Sequence, residues 1–322
     1  MTKTSKMHVA AINRFGGADE IKPHDVLIPT LARDEVLIRL NTAGVGSWDP
    51  YMRDGQYFKD VGAKAHFPFV LGVDGAGVIE KVGADVEDFS EGDPVYAYSE
   101  DLTRAGFYAE FASVKADHVA PLPKGLNLEA AGAMPADAIT ALTGLDTLGL
   151  KPGETLAIYG ASGGLGHLAL QFAKRMRVRV LAVASRDDGV DLVRKLGADA
   201  AVEGHEGNVE KAVDDFAPDG IDAALIAASG ESLSAVLSGL RPGARAAYPN
   251  GVEPEPKAPD GVELRAFNGE VNAERLRRLN SLIESGPFHV HIAAKFPLDQ
   301  AADAHRAVEQ HHVGKIALKI AH

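Results

Sequence analysis

The chain has 322 residues, about the length of two ordinary domains, and its hydrophobic fraction of 46% is high enough for both to have packed cores. It carries 33 lysine and arginine residues against 45 aspartate and glutamate residues, and the net charge of −12 opposes binding to nucleic acid or to an anionic membrane surface. The lack of cysteine excludes disulfides, thiolate nucleophiles and Cys-rich zinc sites. With no apolar run of signal-peptide or membrane-span length, we expect a cytoplasmic protein without a membrane partner.

The first part of the chain, to about residue 120, predicts short strands separated by turns rich in Gly and Asp, as in the segment GVDGAGVIEKVG at residues 72–83. This texture is typical of a small, irregular antiparallel barrel. The predicted strands cover residues 36–40, 77–81, 94–98 and 107–114.

From about Leu128 the texture changes to helical stretches that alternate with short apolar runs, which predicts βαβ units on a doubly wound parallel sheet. A further helix over residues 273–284 and a strand over residues 315–320 return the chain to its first domain. The fold class is therefore α/β with two domains. The predicted parallel strands cover residues 156–159, 178–184, 200–202, 221–227 and 244–248.

A glycine-rich loop, GASGGLG, joins the first parallel strand to an Ala-rich helix, which is the context of a dinucleotide-binding motif. Gly163 would let backbone amides approach a pyrophosphate, Gly166 would let the helix pack close to the strand, and the helix N-terminus would offer free N–H groups. A glycine-rich turn without a ligand is the alternative. The predicted cofactor contacts in this loop are Gly160, Ala161, Ser162, Gly163, Gly164, Leu165 and Gly166.

The end of the second parallel strand decides between the two nicotinamide cofactors. Ser185 and Arg186 stand where a site for the unphosphorylated cofactor usually places an acidic residue. A hydroxyl followed by a guanidinium suits a 2′-phosphate, so we predict NADPH. Asp187 or Asp188 would instead favour NADH if the alignment shifted by one residue.

Seven segments, in this order and spacing, resemble the medium-chain dehydrogenase/reductase superfamily, specifically its zinc-free quinone oxidoreductase and zeta-crystallin branch: GVDGAGVIEKVG, GDPVYAY, GFYAEFASV, YGASGGLGHLALQFAK, KLGADAAV, LRPGAR and GKIAL. The resemblance implies a GroES-like β-barrel catalytic domain from residues 1–123 and 270–322, and a Rossmann NADP-binding domain from residues 124–269. It also implies an active site in the cleft between them and a homodimer.

The metal-dependent relatives bind zinc at positions that correspond here to Gly46 or its neighbours and to Val73 with Asp74, and these residues cannot build that site. Two pairs of histidines remain as metal suspects, the first on an apparent strand. Neither has a third ligand in view, so no metal is predicted. The pairs are His289 with His291 and His311 with His312.

The resemblance also implies individual site residues. Tyr51 and Tyr57 fall where the family carries tyrosines beside the nicotinamide and the substrate pocket, although either one could equally serve barrel packing. Thr140 falls at a cofactor contact, with helix packing as the alternative. The family often has a lysine where this chain has Gly189. Further cofactor contacts are expected near later strand ends, at Ala227, Asn250, Phe267 and Asn268.

Without a metal, a saturated ketone lacks its main electrophile, whereas a quinone or an α,β-unsaturated carbonyl delocalises the charge that hydride brings. The sequence therefore predicts hydride transfer from NADPH to a small-molecule quinone or enone, in which Tyr51 or a pocket hydroxyl steadies the oxyanion and water or Tyr57 supplies the proton. The alternatives are a metal-free alcohol dehydrogenase or ketone reductase, and a non-catalytic NADPH-binding protein of the crystallin-like or regulatory kind. The sequence predicts no role for Asp49, Arg53 or Lys64.

Overall fold

The computed structural model describes residues 5–100 and 106–321. The strands are β1 Lys6–Ile12, β2 Lys22–Leu27, β3 Glu35–Val45, β4 Phe69–Val70, β5 Asp74–Val82, β6 Pro94–Tyr98, β7 Phe111–Lys115, β8 Val119–Pro121, β9 Thr155–Tyr159, β10 Arg179–Ala184, β11 Ala200–Glu203, β12 Ile221–Ile226, β13 Leu240–Pro249, β14 Glu263–Phe267, β15 Ile292–Pro297 and β16 Lys315–Lys319. The α-helices are α1 Trp48–Arg53, α2 Gln56–Asp60, α3 Leu128–Ala133, α4 Pro135–Leu148, α5 Gly164–Arg175, α6 Arg186–Lys195, α7 Val209–Phe216, α8 Leu233–Ser238, α9 Ala273–Glu284 and α10 Ala301–Val308.

The chain divides into two compact units. Unit 1 comprises Met1–Ala136, Val271–Asn280 and Ile292–His322, and unit 2 comprises Asp137–Glu270 and Ser281–His291. These units are defined by contacts between residues, whereas the limits predicted from sequence follow the GroES-like and Rossmann folds. The domain limits of 1–123, 124–269 and 270–322 therefore stay a prediction.

Unit 1 is built around β3, which pairs with β5, β7 and β16 in one antiparallel region of a seven-stranded sheet. A second sheet joins β1, β2 and β4. The strand predicted over residues 107–114 begins only at Phe111. The reason is that Phe107 and Tyr108 donate their N–H groups to the carbonyls of Gly72 and Leu71, in a connection outside the strands.

Unit 2 contains six parallel strands in the order β11-β10-β9-β12-β13-β14, so the carboxyl ends of all six lie at one edge of the sheet. The predicted α/β class with a doubly wound parallel sheet is confirmed. Sequence reasoning missed β14 because it is an edge strand whose residues, ELRAF, are mostly exposed or half-buried and lack an apolar run. Within the described residues, no helix is long and apolar enough to cross a membrane.

A buried polar network in unit 1 fixes the end of α1. Arg53, only 6% exposed, donates from Nε to the carbonyl of Gly16 at 3.0 Å and from Nη2 to Glu309 at 2.9 Å. Its Nη1 lies 3.2 Å from Nδ1 of His305, and the Nε2 of that ring lies 3.2 Å from the Tyr108 hydroxyl. Because a guanidinium only donates, Nδ1 must accept and the ring proton lies on Nε2, where it donates to Tyr108. Burial, together with the Arg53 charge, lowers the pKa of His305 to about 3, so the ring is neutral.

Asp49 fixes the other end of α1. Its Oδ2 accepts the N–H of Gly46 at 2.8 Å, while among the described residues Oδ1 has no hydrogen-bond partner. The side chain is 2% exposed, and burial raises its pKa to about 7, with the neighbouring Asp74 adding to the rise. Asp49 and Arg53, to which the sequence assigned no role, thus hold the helix that carries Tyr51.

The substitution Asp49→Asn should remove a pH dependence of stability. An unfolded aspartate ionises near pH 4, whereas Asp49 in the fold stays protonated to about pH 7, so between these values the unfolded chain binds fewer protons. The wild-type free energy of unfolding should therefore lose up to about 1.4 kcal/mol per pH unit in that window and level off above it. Asparagine can still accept the Gly46 N–H but does not titrate.

Urea unfolding from pH 5 to pH 8 measures this, with exposed Asp88→Asn as the matched control. The difference in stability between the Asp49→Asn variant and wild type should grow with pH up to about 7, where Asp49 ionises, and then stay constant. Parallel stability curves for the two proteins would contradict the assignment.

Candidate functional site

The glycine loop of residues 160–166 follows β9 and leads directly into α5. Gly160 has a φ of +81°, which favours glycine, and a Cβ there would lie 2.8 Å from the Cβ of Ala228. A Cβ on Gly166 would lie 2.2 Å from the carbonyl oxygen of Gly160. Gly160 is therefore required by its backbone conformation and by the contact with Ala228, and Gly166 by the packing of α5 against the loop. Ala227, another predicted contact, touches the same turn, and its N–H donates to the carbonyl of Tyr159 at 2.9 Å.

Gly163 differs from its neighbours because internal packing does not demand a glycine. A Cβ there would meet only the Gly160 carbonyl, at an ordinary 3.5 Å, so the space beside it is open. Gly163 also precedes α5 without a side chain to cap it, and the first-turn amides of Gly164, Leu165 and Gly166 lack partners one helical turn earlier. Open space facing uncapped amides is the arrangement that binds a phosphate group.

Side chains tie this loop to its surroundings. The fully buried His167 lies with Nδ1 2.8 Å from the Gly163 carbonyl, and Ser162 Oγ accepts the N–H of Ser185 at 3.2 Å. A Cβ on Gly189 would lie 2.7 Å from Ser162 Oγ, so the start of α6 packs against the loop. A lysine at position 189, which the resemblance would place there, would not fit this packing unless Ser162 moved.

Arg186 is exposed, and among the described residues no carboxylate forms an ion pair with its guanidinium. Its φ of +54° lies in the left-handed region, and its N–H donates to Oε1 of Glu203 at 2.9 Å. Glu203 was not predicted from sequence. Burial would raise the pKa of its carboxyl, but hydrogen bonds from four backbone N–H groups lower it to about 2.

The remaining predicted cofactor residues also lie together at strand ends of unit 2. Asn250 follows β13, and its N–H donates to the Phe267 carbonyl at 2.9 Å, while its side-chain Nδ2 donates to Asn268 at 2.8 Å. A Cβ on Gly269 would lie 2.3 Å from Oγ1 of Thr140, so Thr140 lies against the residue after Asn268. The structure thus groups Thr140 with the ends of β13 and β14.

In unit 1, Trp48, Tyr51 and Tyr57 form an aromatic cluster. The Trp48 ring centroid lies 5.3 Å from that of Tyr51 and 5.1 Å from that of Tyr57, and the two tyrosine rings are 6.2 Å apart. All three side chains are half-buried. They present a polarisable surface suited to a flat, conjugated molecule.

The two tyrosine hydroxyls have different surroundings. The Tyr51 hydroxyl donates to the Asp60 carboxylate, and this bond, with some burial, raises the pKa of Tyr51 to about 12. No hydrogen bond to the Tyr57 hydroxyl is formed by any described residue. Burial, followed by the charge of Glu100, raises the pKa of Tyr57. Both phenols are therefore protonated at neutral pH, but only that of Tyr57 has an uncommitted proton.

The resemblance would place zinc at Gly46, Val73 and Asp74, of which only Asp74 has a side chain able to bind a metal, and its Oδ2 accepts the N–H of Ala136 at 2.8 Å. Among residues 5–100 and 106–321, no group of three or more His, Asp and Glu is arranged to hold a metal. The expectation that His289 and His291 lie on a strand is wrong, because β15 begins at Ile292. Instead, the side-chain amide of Gln171 pairs with both backbone groups of His289.

Comparison with known proteins agrees with this architecture. The family model described as "Alcohol dehydrogenase GroES-like domain" matches residues 32–124, and that described as "Zinc-binding dehydrogenase" matches residues 164–263. A solved structure described as an NAD-dependent alcohol dehydrogenase superposes with a TM-score of 0.87 at 27% identity, over 98% of this chain and 100% of that one. The predicted GroES-like barrel with a Rossmann domain is confirmed.

Two curated relatives span nearly the whole chain. A mouse (Mus musculus) quinone oxidoreductase is 31% identical over 94% of both chains. An Arabidopsis thaliana protein, the chloroplastic NADPH-dependent alkenal/one oxidoreductase, is 31% identical over 94% of this chain and 77% of its own. The chain therefore belongs to the medium-chain dehydrogenase/reductase superfamily and, within it, to the quinone oxidoreductase branch.

Proposed function

We propose that this protein is an NADPH-dependent oxidoreductase that transfers hydride to a quinone or an α,β-unsaturated carbonyl compound. The observation that carries the proposal is the open, uncapped start of α5 at Gly163, with the unpaired Arg186 guanidinium after the next strand. The names of the relatives, quinone oxidoreductase and NADPH-dependent alkenal/one oxidoreductase, support the same substrate and cofactor classes.

The residues present fit NADPH in chemical terms. The amides of Gly164, Leu165 and Gly166 would bind the pyrophosphate, and Arg186 with Ser185 would bind the 2′-phosphate. When bound, NADPH supplies the hydride. The further contacts that we propose for the cofactor are Gly160, Ala161, Ser162, Gly163, Thr140, Ala227, Asn250, Phe267 and Asn268.

The aromatic cluster suits a conjugated substrate. As negative charge develops on the substrate oxygen, the free hydroxyl of Tyr57 donates a hydrogen bond to it and then supplies the proton. Tyr51, already bonded to Asp60, contributes its ring and holds the loop between α1 and α2. Delocalisation within a quinone or an enone reduces the stabilisation that the protein must provide, so this reaction needs no metal at Gly46, Val73 and Asp74.

We also propose that the protein is a homodimer, as the resemblance implies, and that it acts in the cytoplasm. The outer edge of β14 supports self-association. This largely exposed strand ends the sheet of unit 2, so the backbone groups on its outer edge pair with no other strand of the described sheet. Light scattering on the purified protein tests the dimer, and a monomeric mass would refute it.

The reaction itself is tested by following NADPH consumption with 1,4-benzoquinone, an enone and the matching saturated ketone. We expect turnover of the quinone or the enone and little or none of the saturated ketone. Turnover of the saturated ketone alone would favour an alcohol dehydrogenase, the activity in the name of the superposed NAD-dependent structure. Cofactor binding without turnover of any electrophile would indicate a non-catalytic binding protein.

The glycine loop gives a matched pair of variants. Gly163→Ala should leave the melting temperature within about 2 °C of wild type, since its Cβ meets only an ordinary contact. It should raise the Kd for NADPH about tenfold or more, because the methyl group occupies the side from which the pyrophosphate approaches. Gly166→Ala should instead lower the melting temperature, because its Cβ meets the Gly160 carbonyl. Unchanged NADPH affinity in Gly163→Ala, measured by isothermal titration calorimetry, would place the cofactor elsewhere.

Two phenylalanine variants separate the tyrosines. Tyr57→Phe should lower kcat about 100-fold, the usual effect of losing one donor to a developing oxyanion. Tyr51→Phe should lower it less than about fivefold, because the Tyr51 hydroxyl is committed to Asp60. Steady-state kinetics with saturating NADPH measure both. A larger loss in Tyr51→Phe than in Tyr57→Phe would reverse the assignment.

A further inference from the structure

Arg186 occupies a backbone conformation that an arginine does not adopt without support. Its φ of +54° places it in the left-handed region, which is strained for a residue with a side chain unless neighbouring groups hold it. The preceding residue, Ser185, is extended with a φ of −90° and a ψ of 133°, and α6 starts at Arg186. The chain therefore turns sharply at the residue that we assign to the 2′-phosphate.

Glu203 supplies the support. It ends β11 and lies opposite Ala184, the last residue of β10, in the parallel register. Its Oε1 accepts the Arg186 N–H at 2.9 Å. Its Oε2 accepts N–H groups from the following turn, those of His205 at 2.7 Å, Glu206, and Gly207 at 3.3 Å. One carboxylate thus joins the turns that follow two neighbouring strands.

We propose that Glu203 is a specificity-determining positioning residue, which holds Arg186 in its left-handed turn and so keeps the guanidinium where the 2′-phosphate of NADPH binds. This inference rests on the proposed use of NADPH. Without Oε1, the Arg186 N–H loses its acceptor and the backbone can relax to a right-handed conformation, which would redirect the side chain. Residue 189 is a glycine, and a Cβ there would lie 2.7 Å from Ser162 Oγ. No lysine at this position can therefore bind the 2′-phosphate in place of Arg186.

A carboxylate near a phosphate would by itself weaken binding by charge repulsion. Four backbone N–H donors, however, offset the charge of Glu203 where it stands. The two effects predict opposite changes in the preference for NADPH over NADH when Glu203 is removed. If positioning dominates, removing Glu203 lowers the preference for NADPH over NADH, whereas if repulsion dominates, removing it raises that preference.

The experiment measures Kd for NADPH and for NADH by calorimetry, together with melting temperatures, in wild type and in Glu203→Ala, Glu203→Gln, Arg186→Ala and the double variant Glu203→Ala/Arg186→Ala. We expect Arg186→Ala to lose most of the NADPH preference. Glu203→Ala should lower the ratio Kd(NADH)/Kd(NADPH) at least fivefold, mainly by weakening NADPH binding. Glu203→Gln, which keeps one acceptor oxygen, should retain more of the preference and serves also if the alanine variant does not fold. Exposed Glu206→Gln is the matched control and should match wild type.

In the Arg186→Ala background, Glu203→Ala should have no further effect on the ratio, because Glu203 acts through Arg186. An unchanged or increased ratio in both Glu203 variants overturns the inference. So does an equal loss of affinity for NADPH and NADH, or a further fall of the ratio when Glu203→Ala is added to Arg186→Ala. Those outcomes leave the proposed function intact if wild type prefers NADPH and Arg186→Ala does not. A wild-type ratio near 1 would refute the proposed cofactor and the inference together.

Discussion

The close approach of Gly166 to the Gly160 carbonyl is the constraint on which the nucleotide side of the molecule depends. A Cβ at residue 166 would lie 2.2 Å from that oxygen, so α5 can start directly beneath the turn after β9 only because residue 166 has no side chain. This contact sets the position of the first-turn amides relative to the open space at Gly163.

Unit 1 positions its reactive groups by a related principle. Buried polar side chains hold the backbone through hydrogen bonds, while the hydroxyl group that would act chemically is left without a hydrogen-bond partner. The neutral His305 links Arg53 to Tyr108 behind α1, and Asp49 fixes the turn at Gly46. The Tyr57 hydroxyl, in contrast, has no hydrogen-bond partner among the described residues, which leaves its proton available for the role that we propose.

The sequence could predict those features that a local pattern of residues determines. The glycine loop is seven consecutive residues with a strand before it and a helix after it, so its conformation and its open face follow from spacing alone. The supports of the site could not be predicted in that way. Arg53 and His305 are 252 residues apart, and Glu203, at the end of β11, lies 17 residues from Arg186 at the start of α6. Neither pair has a sequence pattern, because each depends on how elements that are distant in sequence pack in space.

The acidic composition gives the last constraint. With a net charge of −12, the chain must gather positive potential locally to hold an anion with several phosphates, and in the proposed site this potential would come largely from backbone N–H groups instead of a cluster of basic side chains. Backbone N–H groups also offset the charge of Glu203, since its carboxylate accepts hydrogen bonds from four such donors. A fixed anion whose charge is already offset can hold a turn beside a phosphate with little repulsion. That would let one exposed arginine, Arg186, carry the proposed recognition of the 2′-phosphate on an otherwise negative protein.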